Sequence, residues 1–523
     1  MMDAVSRRSV LAGGIAGGLG LTLVPSRAFA QGAPVVTAPS GIFEGDAVGG
    51  IWRFRGIRYG NGPRFRAPVA FATPGLRRPA HDFGPVCPQR GPYRPQSEDC
   101  LYLNIWTPGA PSRARKPVML YIHGGAYSNG SVTDPQNDGA VLAAREDVVV
   151  VTVNHRLNAL GYLYLARLDP RFADSGNVGQ LDLIVALQWV GDNIAAFGGD
   201  PGRVFVFGQS GGGAKIATMM GMPAAKGLFH SAATMSGQQV TASGPLNATR
   251  RTQAYLAKLG VRESDLSPLL DLPVERLVEA LEATDPILGG GVYFGPVLDM
   301  KWLSRHPFWP DANPQSNAMP MILGNTRDET RAFISPDSPR IRALNWNNLA
   351  ATMAPELRMD VLPEWVVSEY RRRFPRDTPE AIFYRATTAG RSWPGQVIEA
   401  DARAAAGAKA TWVYQLDYQS PVKPERGAPH TGDIPLVFGT LGAEGSISGT
   451  GPAAQRLSRQ MMAAFAAVAR TGRPAGKGVP AWPAYTLPGR ATMVFDTESR
   501  AVNDPRRWER ELFARVPYIQ PGS

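Results

Sequence analysis

An apolar run that ends in a serine between glycines constrains the fold of this chain more than any other feature. Residues 204–207 form the run, Gly-Gln-Ser-Gly-Gly follows at 208–212, and a helix-compatible segment begins at Ala214. The pattern predicts a strand, a tight turn and a helix with Ser210 at the apex, where its hydroxyl is exposed for chemistry. Glycines are needed there because residues without a Cβ let the strand and helix backbones approach closely.

Two further apolar runs predict the type of sheet that contains this turn. Residues 118–122 and 148–153 are continuous apolar runs, the pattern of strands buried on both faces of a parallel sheet. Residues 181–197 carry apolar side chains at helical spacing, which predicts an amphipathic helix. Strands that alternate with helices predict an α/β fold with a doubly wound, mostly parallel sheet. Ligands of such sheets bind at the carboxyl ends of the strands.

The second half of the chain predicts later strands of the same sheet. Residues 320–323 and 411–416 are β-prone, and residues 338–408 between them have a mainly helical pattern. We expect that stretch to be an insertion packed over the sheet. With no clear linker in the sequence, residues 31–523 are expected to form a single domain.

Residues 1–30 have the features of an export signal. Arg7 and Arg8 precede a mildly apolar stretch that ends in Ala-Phe-Ala at 28–30, the small-residue pattern of a cleavage site. The arginine pair favours a twin-arginine signal, and a Sec signal that carries two arginines is the alternative. We therefore expect a mature chain that begins near Gln31, in the periplasm or outside the cell. No other apolar stretch is long enough to predict a membrane span.

The charge balance bears on the kind of partner. The chain carries 55 Lys and Arg against 44 Asp and Glu, a formal net charge of +11, and basic proteins can bind nucleic acids. The basic residues are scattered and form no Lys/Arg-rich run, so we expect solvated surface charge and no nucleic-acid partner. Nothing in the sequence indicates a metal or an organic cofactor, and the oligomeric state is not predicted.

Cys87 and Cys100 are the two cysteines of the chain. An even number of cysteines, close in sequence in an exported protein, favours a disulfide. Such a bridge would stabilise the fold by roughly 3 kcal/mol in the chain-entropy model. Two free buried thiols are the alternative.

The serine pattern needs partners before it indicates chemistry, because 57 glycines in 523 residues give roughly a few tenths of a chance match. An ordinary glycine-rich turn is the alternative. A serine nucleophile requires a general base, an acid that orients the base, and donors for an oxyanion. His430 lies in a turn-rich loop after the strand at 411–416, and Glu329 follows the strand at 320–323. The order serine, acid, histidine is the one expected for this kind of turn.

Glycines at two other predicted strand ends can supply the oxyanion donors. Gly124 and Gly125 follow the strand at 118–122, and Gly211 follows the serine directly. Their backbone N–H groups would point at the same carbonyl oxygen if the three strand ends are neighbours. A plain glycine hairpin turn is the alternative for Gly124 and Gly125.

Several motifs in the same order resemble those of the type B carboxylesterases, a family of α/β-hydrolases that also contains the cholinesterases. The resemblance covers about residues 35–495, and the matching stretches are 64–68, 98–106, 123–127, 193–201, 208–212, 327–329, 427–435 and 482–485. It implies the α/β-hydrolase fold, with Ser210 as nucleophile, His430 as base and Glu329 as its orienting acid. It also implies that the oxyanion donors are the N–H groups of Gly124, Gly125 and Gly211.

The resemblance implies roles for residues around this triad as well. Ser236 matches a buried serine that would contact the triad, and Cys87 with Cys100 would form the family's N-terminal disulfide. Where the family usually has Glu and Ala beside the nucleophile, this chain has Gln209 and Gly211. We expect Gln209 near His430, beside the triad or in the pocket. The loop between the cysteines contains no tryptophan, which argues against a cholinesterase.

The substrate pocket is less defined than the triad. Tyr127, Phe294 and Trp393 are candidates through the resemblance and their aromatic character, and core packing is the alternative for each. We expect a serine hydrolase that cleaves small carboxylic esters through an acyl-enzyme. The same machinery can cleave an amide, a carbamate or a lactone. A non-catalytic binding protein is a further alternative, against which all three triad positions argue.

Overall fold

An eleven-stranded sheet carries at its carboxyl edge the residues that the sequence singles out. The computed structural model describes residues 33–109 and 115–522, and the predicted export signal lies outside them. In chain order the strands of this sheet are β1 (Asp46–Val48), β2 (Ile51–Arg58), β3 (Tyr102–Pro108), β4 (Lys116–Ile122), β5 (Val149–Val153), β6 (Gly199–Gln209), β7 (Ser231–Met235), β8 (Met321–Thr326), β9 (Thr411–Leu416), β10 (Ala491–Phe495) and β11 (Arg500–Asn503).

The strands lie side by side in the order β1-β2-β3-β5-β4-β6-β7-β8-β9-β10-β11. Strands β4 to β10 are parallel to one another, and antiparallel strands pair with both ends of this parallel block. The chain order reverses at β4, which is where ligands bind in such sheets. The predicted doubly wound parallel sheet is confirmed. Two small sheets comprise Val35–Ala38, Gly41–Glu44 and Arg77–Pro79, and Gly60–Asn61 and Val69–Ala70.

Helices cover both faces of the sheet. They are α1 (Ala140–Glu146), α2 (Asn158–Tyr162), α3 (Val178–Asn193), α4 (Gly211–Met219), α5 (Pro245–Leu259), α6 (Pro268–Asp271), α7 (Val274–Glu279), α8 (Pro314–Asn317), α9 (Pro339–Arg342), α10 (Leu349–Met353), α11 (Pro363–Arg373), α12 (Pro379–Thr387), α13 (Pro394–Ala405), α14 (Ile434–Phe438), α15 (Pro452–Thr471) and α16 (Arg507–Phe513). In the part of the chain that the structure describes, no helix is long and apolar enough to cross a membrane.

Alternating side chains of the central strands enter two separate cores. On β4, Val118 and Leu120 pack with the core that also contains residues of α3 and α4, such as Ile216. Met119 and Tyr121 point the other way, into the core beneath α15. Both faces of a parallel strand are thus buried, which explains why its sequence is a continuous apolar run.

The stretch 338–408 contains α9 to α13, with a π-helical turn at Thr388–Ser392 between α12 and α13. Part of it has a core of its own, in which Tyr370 and Phe383 pack with Phe513 of α16. The predicted helix at 181–197 begins earlier, at Val178, and its last turn tightens into a 3₁₀-helix over Ile194–Phe197.

The predicted disulfide is not formed in the structure, which has Cys87 and Cys100 as free, buried thiols. A hydrogen bond with Cys87, followed by burial, raises the pKa of the Cys100 thiol well above its usual range. The Cys87 sulfur also accepts the N–H of Leu157 at 3.2 Å. The fold thus brings the two side chains together and satisfies their weak polar groups without a bond, so spacing alone does not decide between the two forms.

A buried ion pair fixes the N-terminal loop to the sheet. Arg156, just after β5, donates to Asp182 of α3, and the shortest of these bonds is 2.6 Å. Its other amino group donates to the carbonyls of Pro63 and Arg66 at 2.8 and 2.9 Å. The side chains of Arg156 and Asp182 are only 3% and 0% exposed. Removal of either charge would leave the other buried without a partner.

We expect Asp182→Asn to lower the free energy of unfolding by about 3 kcal/mol, because the Arg156 charge stays buried without its carboxylate. Asp192→Asn on the exposed face of the same helix is the matched control, and it should change stability by less than about 0.5 kcal/mol. Urea unfolding followed by tryptophan fluorescence measures both. Equal midpoints for the two variants would contradict the assignment of Asp182 as the loop anchor.

Candidate active site

A strained backbone conformation places Ser210 at the apex between β6 and α4. Its φ and ψ angles are 55° and −124°, and such a conformation costs of order 1–3 kcal/mol and persists only where its surroundings enforce it. Close packing enforces it here: a Cβ on Gly208 would overlap the backbone of Gly212, and a Cβ on Gly212 would overlap the carbonyl of Ile122. The predicted strand-turn-helix is confirmed, and its serine is half-buried.

The side chain of Glu329 is a fully buried carboxylate that accepts hydrogen bonds on both oxygens. Oε1 accepts from the Ser236 hydroxyl at 2.6 Å, from Asn325 Nδ2 at 3.0 Å and from the Thr326 N–H at 2.8 Å. Oε2 contacts Nδ1 of His430. Burial opposes ionisation, but the His430 ring and the Ser236 and Thr326 donors outweigh it and hold the pKa of Glu329 below its ordinary value. Glu329 therefore stays charged and fixes the orientation of the imidazole.

The other ring nitrogen of His430 faces a glutamine. Its Nε2 lies 3.1 Å from Nε2 of Gln209, the last residue of β6. Because Nδ1 faces a carboxylate, the neutral ring carries its proton on Nδ1 and accepts on Nε2. The Gln209 amide is then the donor. The ring of Phe333 packs against the imidazole with 4.7 Å between centroids.

The hydrogen bond expected between Ser210 and His430 is absent from the described residues, where Ser210 Oγ has no hydrogen-bond partner and Gln209 binds Nε2 instead. Gln209 and Ser210 are consecutive residues at the end of β6, and the Gln209 amide occupies the Nε2 acceptor of His430. Catalytic hydrogen bonds are often long or unmade without substrate. Glu329 therefore orients the imidazole of His430, while the Ser210 hydroxyl is unpaired among the described residues.

The loop after β4 brings its glycines against the serine. A Cβ on Gly124 would lie 3.3 Å from Cβ of Ser210 and 2.9 Å from Oε1 of Gln209. Gly125 has a φ of 90°, a conformation that favours glycine. Within the described residues, the N–H groups of Gly124, Gly125 and Gly211 have no hydrogen-bond acceptor. Three unpaired backbone donors beside a serine make a suitable site for an oxyanion.

The three predicted pocket aromatics lie in different places. Tyr127 is buried behind the glycine loop, where its hydroxyl donates to Gln239 Oε1 at 2.7 Å. Phe294 packs edge-on against Tyr255 of α5, in the core. Trp393 lines a cavity of about 530 Å³ whose lining includes none of the three triad residues. Phe294 and Trp393 make no ring contact or hydrogen bond with the triad in the described chain. Phe294 and Tyr127 both belong to the core that contains residues of α3 and α4.

Sequence reasoning missed Asn325 and Phe333, and it placed Gln209 near His430 without predicting the hydrogen bond between them. Asn325 had a usable signal, because a buried carboxylate needs donors and an amide four residues earlier on the same strand end can reach it. Phe333 had none, since the 3₁₀ turn Glu329–Ala332 determines where its ring lies. The Gln209 contact depends on how closely the His430 loop approaches β6, which no local pattern reports.

Comparison with known proteins places this site in a family. The model of the carboxylesterase family matches residues 32–512. Among curated proteins, para-nitrobenzyl esterase of Bacillus subtilis (strain 168) is 34% identical over 500 residues, which cover 91% of this chain and 98% of that protein. Fumonisin B1 esterase of Sphingopyxis macrogoltabida is 30% identical over 505 residues, with 92% and 90% covered.

Solved structures agree with these matches. Carboxylesterase EST55 of Geobacillus stearothermophilus superimposes with a TM-score of 0.82 at 36% identity, covering 92% of this chain and 99% of that chain. These neighbours are α/β-hydrolases, so the predicted fold class is confirmed. The family model covers nearly all of the described residues, and the relatives named above are 30%, 34% and 36% identical to this chain. The chain therefore belongs to the carboxylesterase family.

Proposed function

We propose that Ser210, His430 and Glu329 carry out the serine-dependent ester hydrolysis that the family of this chain performs. One observation supports this assignment above the others. A buried carboxylate orients the imidazole from one side, the other ring nitrogen meets Gln209 at the end of β6, and the strained Ser210 follows Gln209 directly. A nucleophile, a base, an orienting acid and oxyanion donors are the parts that acyl transfer requires.

In this mechanism Ser210 Oγ attacks the ester carbonyl as His430 Nε2 accepts its proton. The carbonyl oxygen becomes an oxyanion that accepts hydrogen bonds from Gly124, Gly125 and Gly211. His430 then gives the proton to the leaving alcohol, and an acyl-enzyme remains on Ser210. Water, deprotonated by His430, attacks the acyl-enzyme and releases the acid. Glu329 stays ionised throughout and stabilises the imidazolium.

Gln209 adds a step before this chemistry. His430 can accept from Ser210 only after the Gln209 amide leaves Nε2, because the neutral ring has a single lone pair there. The hydrogen bond of 3.1 Å thus keeps the imidazole in its plane while the site is empty. Such a neutral hydrogen bond contributes roughly 1 kcal/mol, which substrate binding can offset.

We further propose that the protein acts outside the cytoplasm. The Arg7-Arg8 pair and the Ala-Phe-Ala sequence at 28–30 support export.

Amides, carbamates and lactones are the alternative substrate class for the same catalytic residues. A p-nitroanilide matched in acyl group to a p-nitrophenyl ester tests the amide, and faster cleavage of the anilide would favour an amidase.

Ser210→Ala is expected to abolish hydrolysis of p-nitrophenyl esters over a series of acyl lengths, because no other group supplies the nucleophile. Release of p-nitrophenol by purified protein measures the rate. Ser267→Ala, at an exposed serine, is the matched control and should retain wild-type activity. Full activity of Ser210→Ala, or inactive wild-type protein, would refute the proposed function.

Glu329→Gln should lower kcat by roughly a thousandfold to ten-thousandfold, because an amide cannot stabilise the imidazolium and favours the wrong tautomer. Asp328→Asn is the neighbouring control. Asp328 accepts the Ala428 N–H at 2.9 Å and pairs with Arg327 near the surface, so its amide variant should change kcat less than about fivefold. The reverse ranking of the two variants would assign the orienting acid to Asp328.

Gln209→Glu should move the acid side of the kcat/KM–pH profile upward by about one unit, because a carboxylate beside Nε2 stabilises the imidazolium. The neutral base then forms only at higher pH. Gln209→Met removes the amide without adding charge and should shift the profile less. If Gln209→Glu follows the wild-type profile, the contact between Gln209 and His430 does not exist in solution.

A further inference from the structure

A lysine lies fully buried one turn after the nucleophile. Lys215 of α4 has no exposed surface, and no carboxylate forms an ion pair with it within the described chain. Burial lowers the pKa of Lys215 to about 7. A cation buried without a counter-ion costs free energy, so a role outside stability would explain why this side chain is a lysine.

The ammonium group of Lys215 contacts the glycine loop from behind. Nζ donates to the carbonyl of Ala126 at 2.6 Å and lies 5.0 Å from the centroid of the Tyr127 ring. Ala126 has a φ of 53°, which is uncommon for a residue with a Cβ. Its carbonyl packs so closely on Gly211 that a Cβ there would overlap it. Lys215 thus holds the Ala126 peptide, which follows Gly124 and Gly125 in the chain and packs against the serine turn.

The titratable groups around Lys215 supply no negative charge. Burial and the charge of Lys215 lower the pKa of His123 to about 3 and that of His155 well below its usual range. The two rings lie 4.7 Å apart. Burial raises the pKa of Tyr127 well above its usual range. All three side chains are therefore neutral near pH 7, and none of them compensates the charge of Lys215.

We propose that Lys215 is a positioning residue: it holds the glycine loop in shape, and its uncompensated charge favours the oxyanion that forms on the loop. A positive charge in a low-dielectric interior acts more strongly than one in water, and it acts where negative charge develops during acyl transfer. This inference rests on the proposed function, because it needs an oxyanion at the N–H groups of Gly124, Gly125 and Gly211.

Two variants separate the charge from the hydrogen bond. Lys215→Met removes both, and Lys215→Gln keeps a donor without the charge. We expect Lys215→Met to lower kcat/KM roughly tenfold to hundredfold, less than the loss of a direct oxyanion donor. The same variant should be at least as resistant to urea as wild type at pH 7, because it no longer buries a cation. Lys226→Met, at an exposed lysine, is the control.

A pair of inhibitors tests the oxyanion directly. An alkylthio trifluoromethyl ketone adds to Ser210 Oγ, which forms a bond to the ketone carbon while the carbonyl electrons become an oxyanion and His430 takes the proton. The matching methyl ketone binds mainly without addition. Lys215→Met and Lys215→Gln should weaken the trifluoromethyl ketone at least tenfold and the methyl ketone less than twofold. In wild type, the advantage of the trifluoromethyl ketone should fall above about pH 7, as Lys215 loses its charge, and neither variant should show this fall.

Three results would overturn the inference. They are equal weakening of both ketones, wild-type kinetics in Lys215→Met, and lower stability of Lys215→Met. Any one of them would indicate a lysine without an effect on the oxyanion. If neither variant folds, the wild-type pH dependence of the two ketones still decides the question without a substitution. Failure of the proposed function is distinguishable, because an active Ser210→Ala contradicts that function whatever Lys215 does, whereas an inactive Ser210→Ala with unchanged Lys215→Met refutes only this inference.

Discussion

The buried carboxylate of Glu329 is the interaction on which the rest of the site depends. A charge with no solvent contact requires several donors, and four groups from different segments supply them: the Ser236 hydroxyl, Asn325, the Thr326 N–H and His430. Three of these donors come from the carboxyl ends of β7 and β8, and His430 comes from the loop that follows β9. One buried anion therefore links the ends of two neighbouring strands to the loop that carries His430.

Close packing at glycines positions the backbone of the site, as the Glu329 carboxylate positions its side chains. The serine turn and the loop after β4 approach until a Cβ on Gly208, Gly211 or Gly212 would overlap a neighbouring backbone atom. Hydrogen-bond donors then cluster without acceptors, and the strain at Ser210 is held by contacts on every side. The geometry at this edge of the sheet is a result of close packing as much as of residue type.

The parts of the fold and of the candidate site that could be predicted are those with a local sequence pattern. The strand at Thr411–Leu416 and the serine turn were readable because buried parallel strands are continuous apolar runs and a sharp turn needs glycines. His430 and Glu329 followed from chain order. The packing of Phe294 against Tyr255 and the hydrogen bond between Gln209 and His430 depend on distances between segments that are remote in sequence, and the thiol form of Cys87 and Cys100 does not follow from their spacing. No local sequence pattern carries those distances.

The carbonyl of Ala126 contacts both Gly211 and Lys215. It packs on Gly211 where a Cβ would overlap it, and it accepts the hydrogen bond of Lys215. An alanine at 211 would push this carbonyl away from the ammonium, and loss of the lysine would remove the donor that keeps it there. Because both positions contact one carbonyl, the effects of substitutions at 211 and 215 on the loop after β4 are not expected to add.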